Sequence, residues 1–133
     1  MATVREKKLF NLFHEIVSQS FFPFAVFTVE GKLIDCSDDF CKLTGYPREE
    51  LYEVRMTSDL TAAKWKAEEQ KQLQRLLHNK IPVHYKKEII TKEGRRVPVH
   101  VCCGCPLDSS GDIKYLYKIF ILNEEDHDHK KLH

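Results

Sequence analysis

The chain has 133 residues, 42% hydrophobic and 31% charged, a size and composition for one folded domain with little room for a second. Its 21 basic and 20 acidic side chains leave a formal charge of +1, which provides no electrostatic footprint for nucleic acid or an anionic membrane. No apolar run reaches membrane-spanning length, Met1 to Lys8 lack the apolar core of a secretion signal, and five cysteines match no disulfide framework; the expectation is a cytoplasmic protein with reduced thiols, without nucleic-acid partner or membrane insertion.

Residues 4–20 have the spacing of an amphipathic helix, with Leu9, Phe10, Leu12, Phe13, Ile16 and Val17 on one side and Arg5, Glu6, Lys8, Asn11 and Glu15 on much of the other. Phe21-Phe22-Pro23 ends it, because a residue before proline is pushed out of the helical region. Two short strands follow, Phe24 to Val29 and Lys32 to Cys36, around a Glu30-Gly31 turn. Ser37 then reads as an N-cap with Asp38 and Asp39 in the first turn, and Gly45 as the helix stop. Pro47 reads as the first residue of another short helix. Thr61 reads as the cap of a longer helix running to about His78, with Trp65, Leu73, Leu76 and Leu77 inward and Lys64 to Glu69 as a solvated face. Three strands close the chain: Val83 to Thr91, Arg95 to Pro106 and Ile113 to Leu122, joined by glycine-bearing turns. The order predicts an α+β fold, a five-stranded antiparallel sheet with helices on one face.

The segment Asp38-Asp39-Phe40-Cys41-Lys42-Leu43-Thr44-Gly45-Tyr46-Pro47-Arg48-Glu49-Glu50-Leu51 resembles the most recognisable stretch of the PAS superfamily. Tyr85-Lys86-Lys87-Glu88-Ile89-Ile90-Thr91-Lys92-Glu93-Gly94-Arg95-Arg96-Val97-Pro98-Val99 is similar to that family's later hairpin, and a tryptophan-bearing helix lies between them, at Trp65. The resemblance covers roughly residues 21–123 and implies a PAS sensor domain of the prokaryotic sensory-box type. Residues 1–20 would then be a capping or dimerisation helix, and 124–133 a polar tail, native or appended. It further implies a regulatory module and not an enzyme, one that binds a small molecule between sheet and helices, or only dimerises and relays, and so biases an output domain such as a histidine kinase.

The same resemblance orients the strands and places Phe27, Trp65, Tyr85, Ile89, His100, Cys102, Leu116, Lys118 and Phe120 in the cavity, with Lys87 on the same strand face as Tyr85 and Ile89. A homodimer is expected through Leu9, Phe10, Phe13, Ile16 and Val17 of the first helix and through Tyr115 and Tyr117 on the other sheet face. Lys118, in a strand expected at the sheet centre, would be a buried ammonium. It would hold a small anionic ligand, with His100 and Tyr85 as hydrogen-bond partners, or pair with Asp35 or Glu88, or, with the opposite strand parity, be exposed.

Cofactor readings are weaker. Cys102, Cys103 and Cys105 lie close together, but side chains alternate along a strand and paired Cys-x-x-Cys elements are missing, so the cysteines read as buried thiols, with a cysteine-based metal or redox sensor as the alternative. The flavin-adduct motif of the light-sensing branch has no counterpart in Tyr52 to Leu60, which holds no cysteine. His78, at the end of the long helix, is poorly placed for haem. No resident cofactor or metal is therefore expected, while an unknown small metabolite remains open. Purified protein should be colourless, with flat visible absorbance; a haem or flavin band released by denaturation would overturn this reading.

Overall fold

The computed structural model describes residues 22–54, 59–106 and 110–122. The helix expected over residues 4–20, with Leu9, Phe10, Phe13, Ile16 and Val17, and the tail from 124 lie outside the described residues.

The apolar run after Pro23 forms β1, Phe24–Thr28, and the chain returns as β2, Leu33–Cys36. The turn between them uses Gly31 at φ 91°, a conformation that costs glycine little. Ser37 caps α1, Asp38–Thr44, its hydroxyl accepting from the Phe40 N–H at 3.3 Å. Gly45 closes that helix in the left-handed region, its N–H donating to the Cys41 carbonyl at 2.8 Å. A single turn, α2, Arg48–Leu51, follows; Pro47 is its N-cap and not its first helical residue.

The long helix α3 spans Ala63–Asn79 and starts one residue later than a Thr61 cap would place it. Ala62 occupies the cap without a side-chain hydrogen bond. Tertiary contacts instead fix the chain that enters the helix: the Ala62 N–H donates to the Glu88 carbonyl at 3.0 Å, the Ile90 N–H to the Leu60 carbonyl at 2.8 Å, and Thr61 forms an isolated bridge to Ile89. The entry to α3 is thus fastened to the free edge of the next strand, which also covers unpaired backbone groups there.

The last strands are β3, Val83–Ile90, β4, Arg96–Gly104, and β5, Tyr115–Leu122, each slightly shorter than the sequence pattern. The five strands form one antiparallel sheet in the order β2-β1-β5-β4-β3, so β5 is central.

Residues directly opposite one another in an antiparallel pair share a face. The pairs Phe27 with Leu116, Ala25 with Lys118, Cys103 with Lys118, Val101 with Phe120, Tyr85 with Val101 and Lys87 with Val99 therefore define one inner face. Against it pack Phe40, Leu43, Leu51, Leu60 and Leu76 from the helical side. Phe40 touches both Phe27 and Phe120, with ring centroids 6.4 and 5.1 Å apart. Burying each such side chain stabilises the fold by roughly 1.5–3 kcal/mol.

This register corrects the assignment of β4. His100 pairs with Ile121 and Lys86, and Cys102 with Ile119 and His84, so both belong to the outer face. The same outer face carries Phe24 and Val26, buried under Ile34, Tyr115, Tyr117 and Ile119.

Gly104, the last residue of β4, lies opposite Tyr117, and a Cβ there would run into the tyrosine ring. Gly104→Ala should destabilise the domain by about 1–3 kcal/mol, the usual cost of overpacking. Combined with Tyr117→Val, it should cost less than the sum of the two single changes in a denaturant double-mutant cycle. Additive costs would show that the ring moves aside freely.

Candidate functional site

In α3, Glu69, Leu73 and Leu76 are spaced by four and three residues and so fall on one helical stripe. That stripe faces the sheet, and the helix's buried residues are Glu69 and Leu76. A carboxylate at an interior position of an otherwise thinly apolar stripe is possible because the strands opposite supply cations. Alternation along β3 turns Tyr85, Lys87 and Ile89 inward, and alternation along β5 does the same for Leu116, Lys118 and Phe120.

Glu69 Oε2 gathers three donors. The Tyr85 hydroxyl donates at 2.7 Å, Lys87 Nζ at 2.7 Å, and Lys118 Nζ approaches at 3.5 Å. Oε1 accepts from the Thr61 hydroxyl at 2.9 Å, and Thr61 Oγ1 in turn accepts from Lys87 Nζ at 2.9 Å. Lys87 Nζ stands 5.9 Å from the centre of the Phe120 ring and Lys118 Nζ 5.3 Å from that of Phe27, so aromatic faces complete the lining on the cation side. All three charged residues are at most 2% exposed.

The charges do not balance when every group is ionised: two ammonium groups share one carboxylate. Burial pushes the Glu69 carboxyl up, but Lys118, Lys87 and the hydrogen bonds from Lys87 and Tyr85 outweigh it and hold the acid down at about 2. Burial drives Lys87 the other way, and Glu69 offsets it only partly, with Lys118 adding repulsion; the ammonium is left at about 7. Burial and then the Glu69 charge push the Tyr85 hydroxyl well above its ordinary range, keeping it a donor. The cluster therefore carries a net positive charge below about pH 7 and becomes neutral once Lys87 releases its proton. Its chemical capacity is to hold a negative group and to exchange one proton near neutrality.

Of the residues expected in the cavity, the structure brings Phe27, Tyr85, Ile89, Leu116, Lys118 and Phe120 to the inner face. Trp65 is not among them: it is half-buried at the edge, its indole N–H donating to Glu88 Oε1 at 3.0 Å. His100 is outside, its Nε2 3.1 Å from His84 Nδ1, and Cys102 is outside beside it. Neither expected acid meets Lys118: Asp35 pairs with Arg48 at 3.5 Å, and Glu88 lies on the other parity of β3 near Lys64. Glu69 takes that place, though the sequence pattern set it in a solvated run; its four-three spacing to Leu73 and Leu76 is the signal that identifies it. Lys87 lies on the inner face where the resemblance set it, whereas Thr61, expected as a helix cap, joins the cluster unforeseen. The five cysteines are free thiols, and among the described residues no group of three or more His, Cys, Asp or Glu side chains is arranged to hold a metal ion.

In the fold Glu69 stays ionised down to about 2, whereas the unfolded chain takes up the proton near 4.5. Between those values the unfolded state binds more protons, so this contribution is whole above about pH 4.5 and is lost as pH falls toward 2. Lys87 acts with opposite sign: its folded value near 7 lies below the ordinary 10.5, so its burial cost is full below about 7 and is relieved as pH rises toward 10.5. Glu69→Leu strands two buried ammonium groups and should cost about 3–5 kcal/mol at neutral pH. In thermal melts the gap between native protein and Glu69→Gln should narrow as pH drops from about 5 toward 2; a gap constant across that range would mean that Glu69 does not hold the sheet as an anion.

A PAS domain family model matches residues 23–126. No curated protein matches the chain in sequence. Among solved structures, a domain of a sensory box sensor histidine kinase/response regulator from Geobacter sulfurreducens superposes with a TM-score of 0.67 at 16% identity, over 90% of this chain and 96% of that one. The PAS domain of a Colwellia psychrerythraea protein gives 0.76 at 13% identity, over 88% and 98%. The Rhodobacter sphaeroides LOV protein gives 0.78 at 9% identity, over 95% and 73%. Identities this low speak for the fold, and the family match covers most of the chain. The inner face with its Glu69 cluster is thus the sheet-to-helix interior of a PAS domain, and the chain belongs to the PAS domain family.

Proposed function

We propose that this domain is the sensory module of a prokaryotic signal-transduction protein and that it responds to a small anion, of the carboxylate class, at Lys118 and Lys87. The observation that carries this reading is the state of Lys118. It lies in the central strand, 2% exposed, and its polar contact among the described residues is 3.5 Å to an oxygen that already accepts from Tyr85 and Lys87. An ammonium group has three protons to donate, and a buried one gains most from a full partner. A carboxylate beside Lys118 supplies that partner and balances the cluster's charge while Lys87 is protonated. It also competes with Glu69 for the same cations, which loosens α3 from the sheet. Release of α3 is then the event passed to an output domain, in a cytoplasmic homodimer formed through the first helix and the outer face at Tyr115 and Tyr117.

A second reading is a ligand-free relay, in which the cluster only ties α3 to the sheet. Its support is that every buried side-chain nitrogen and oxygen among the described residues has a hydrogen-bond partner.

Thermal shift against acetate, pyruvate, malate and citrate separates the two. At pH 6 at least one should raise the midpoint of the native protein, with a gain of about 2.7 kcal/mol at a hundredfold excess over Kd. Lys118→Met should abolish the response, and at pH 8, with Lys87 deprotonated, the response should be weaker. No shift with any of these acids, together with a less stable Lys118→Met domain, would rule out the anion site and leave the relay.

A further inference from the structure

At the joint between β2 and α1, away from the charge cluster, two thiols touch. Cys36 Sγ and Cys41 Sγ are 3.8 Å apart, in van der Waals contact. Cys36 ends β2 and is 4% exposed; Cys41 sits in α1 and is half-buried. The Arg48 guanidinium closes over the pair. Its Nη1 lies 3.3 Å from Cys36 Sγ and donates to the Cys36 carbonyl, while Nη2 donates to Asp38 at 2.6 Å. Four residues lie between the thiols, so the extended end of a strand and the first turns of a helix must fold back on each other for them to meet, and Ser37 enforces that bend by bonding both Phe24 and Phe40.

We propose that Cys36 and Cys41 form a reversible intramolecular disulfide, a redox modification site that responds to hydroperoxides. A disulfide needs its sulfurs about 2.0 Å apart, so the two must close from their present 3.8 Å contact. The more exposed Cys41 reacts first. Its thiolate attacks the outer oxygen of a hydroperoxide, the O–O bond breaks, an alcohol (or water) leaves, and Cys41 becomes a sulfenic acid. Cys36 then attacks that sulfur, the S–O bond breaks, and the departing hydroxide leaves as water with the Cys36 proton. Two thiols are oxidised by two electrons, and the hydroperoxide is reduced. Burial, then Cys41, pushes the Cys36 thiol up to about 12, so it rests as a protonated reserve. The guanidinium at 3.3 Å is placed to stabilise the negative charge that develops on Cys36 as it attacks. A short loop closed this way constrains the unfolded chain little, which suits a bond made for reversal rather than for stability.

Tryptic cleavage after Lys32 and Lys42 puts both thiols in one peptide, residues 33–42, so the intact protein can be tested without a variant. After a few equivalents of hydrogen peroxide, that peptide should be lighter by two hydrogen atoms, refuse iodoacetamide, and recover both alkylation sites with dithiothreitol. In Cys36→Ala, dimedone should capture a sulfenic acid at Cys41. In Arg48→Met, disulfide formation should slow several-fold, while alkylation of Cys41 in the reduced protein keeps its rate. The proposal is overturned if peptide 33–42 stays doubly alkylatable while other thiols are lost, or if Cys41 proceeds to sulfinic acid with Cys36 still free.

Discussion

A single carboxylate, Glu69, joins the long helix to two strands of the sheet, and most of what distinguishes this domain follows from its burial. It draws Lys87 from the edge strand and Lys118 from the central strand to the same oxygen, and it holds Thr61, at the entry to the helix, on the other. Taking three charges out of water is costly, and the attraction among them repays that cost only where geometry is close and remaining donors are met. Here Tyr85 and Thr61 donate to the carboxylate, Thr61 also accepts from Lys87, and the Phe27 and Phe120 rings line the cation side. An arrangement of this kind specifies one position of helix against sheet more than it adds stability.

The remainder of the helix makes that dependence sharper. Beyond Glu69, its buried residue is Leu76, with Leu73 and Leu77 partly covered. The apolar contact of α3 is therefore concentrated toward its C-terminal half, while its first half rests on the ion cluster and on backbone bonds to β3. In α1 the balance is reversed: Phe40 is fully buried between two aromatic rings and Leu43 lies beside it. One helix is set by packing, the other by charge, and a charged contact is the one that pH and a competing anion can loosen.

The two proposed responses use separate parts of the domain. The cluster reads charge at the junction of α3 with the sheet, and the Cys36–Cys41 pair reads oxidation where β2 turns into α1. Both junctions lie where a helix meets the inner face of a sheet whose other face carries Phe24, Val26, Tyr115, Tyr117 and Ile119. The sheet is the shared element, so a change at either junction reaches the same strands.

Local chemistry was sufficient for the order of elements, because each signal acts within a few residues. Ser37 caps its own turn, Gly45 takes the left-handed conformation that ends α1, and alternating apolar residues mark β3 and β5. The family likeness of the segments around Gly45 and Gly94 added the sheet-and-helix architecture. That likeness also oriented Leu116, Lys118 and Phe120 inward, where the structure buries all three. For β4 the run Val97, Val99, Val101 and Cys103 carried the true parity, and the family likeness that turned His100 and Cys102 inward was one residue out of step with it. What tertiary structure alone decided is the partner of each charge. Glu69 is 18 residues from Lys87 and 49 from Lys118, and nothing within a helical turn of it indicates that two cations wait on the sheet opposite. A carboxylate in a run of charged residues looks solvated until the fold removes the water, and that removal depends on strands that are distant in the chain.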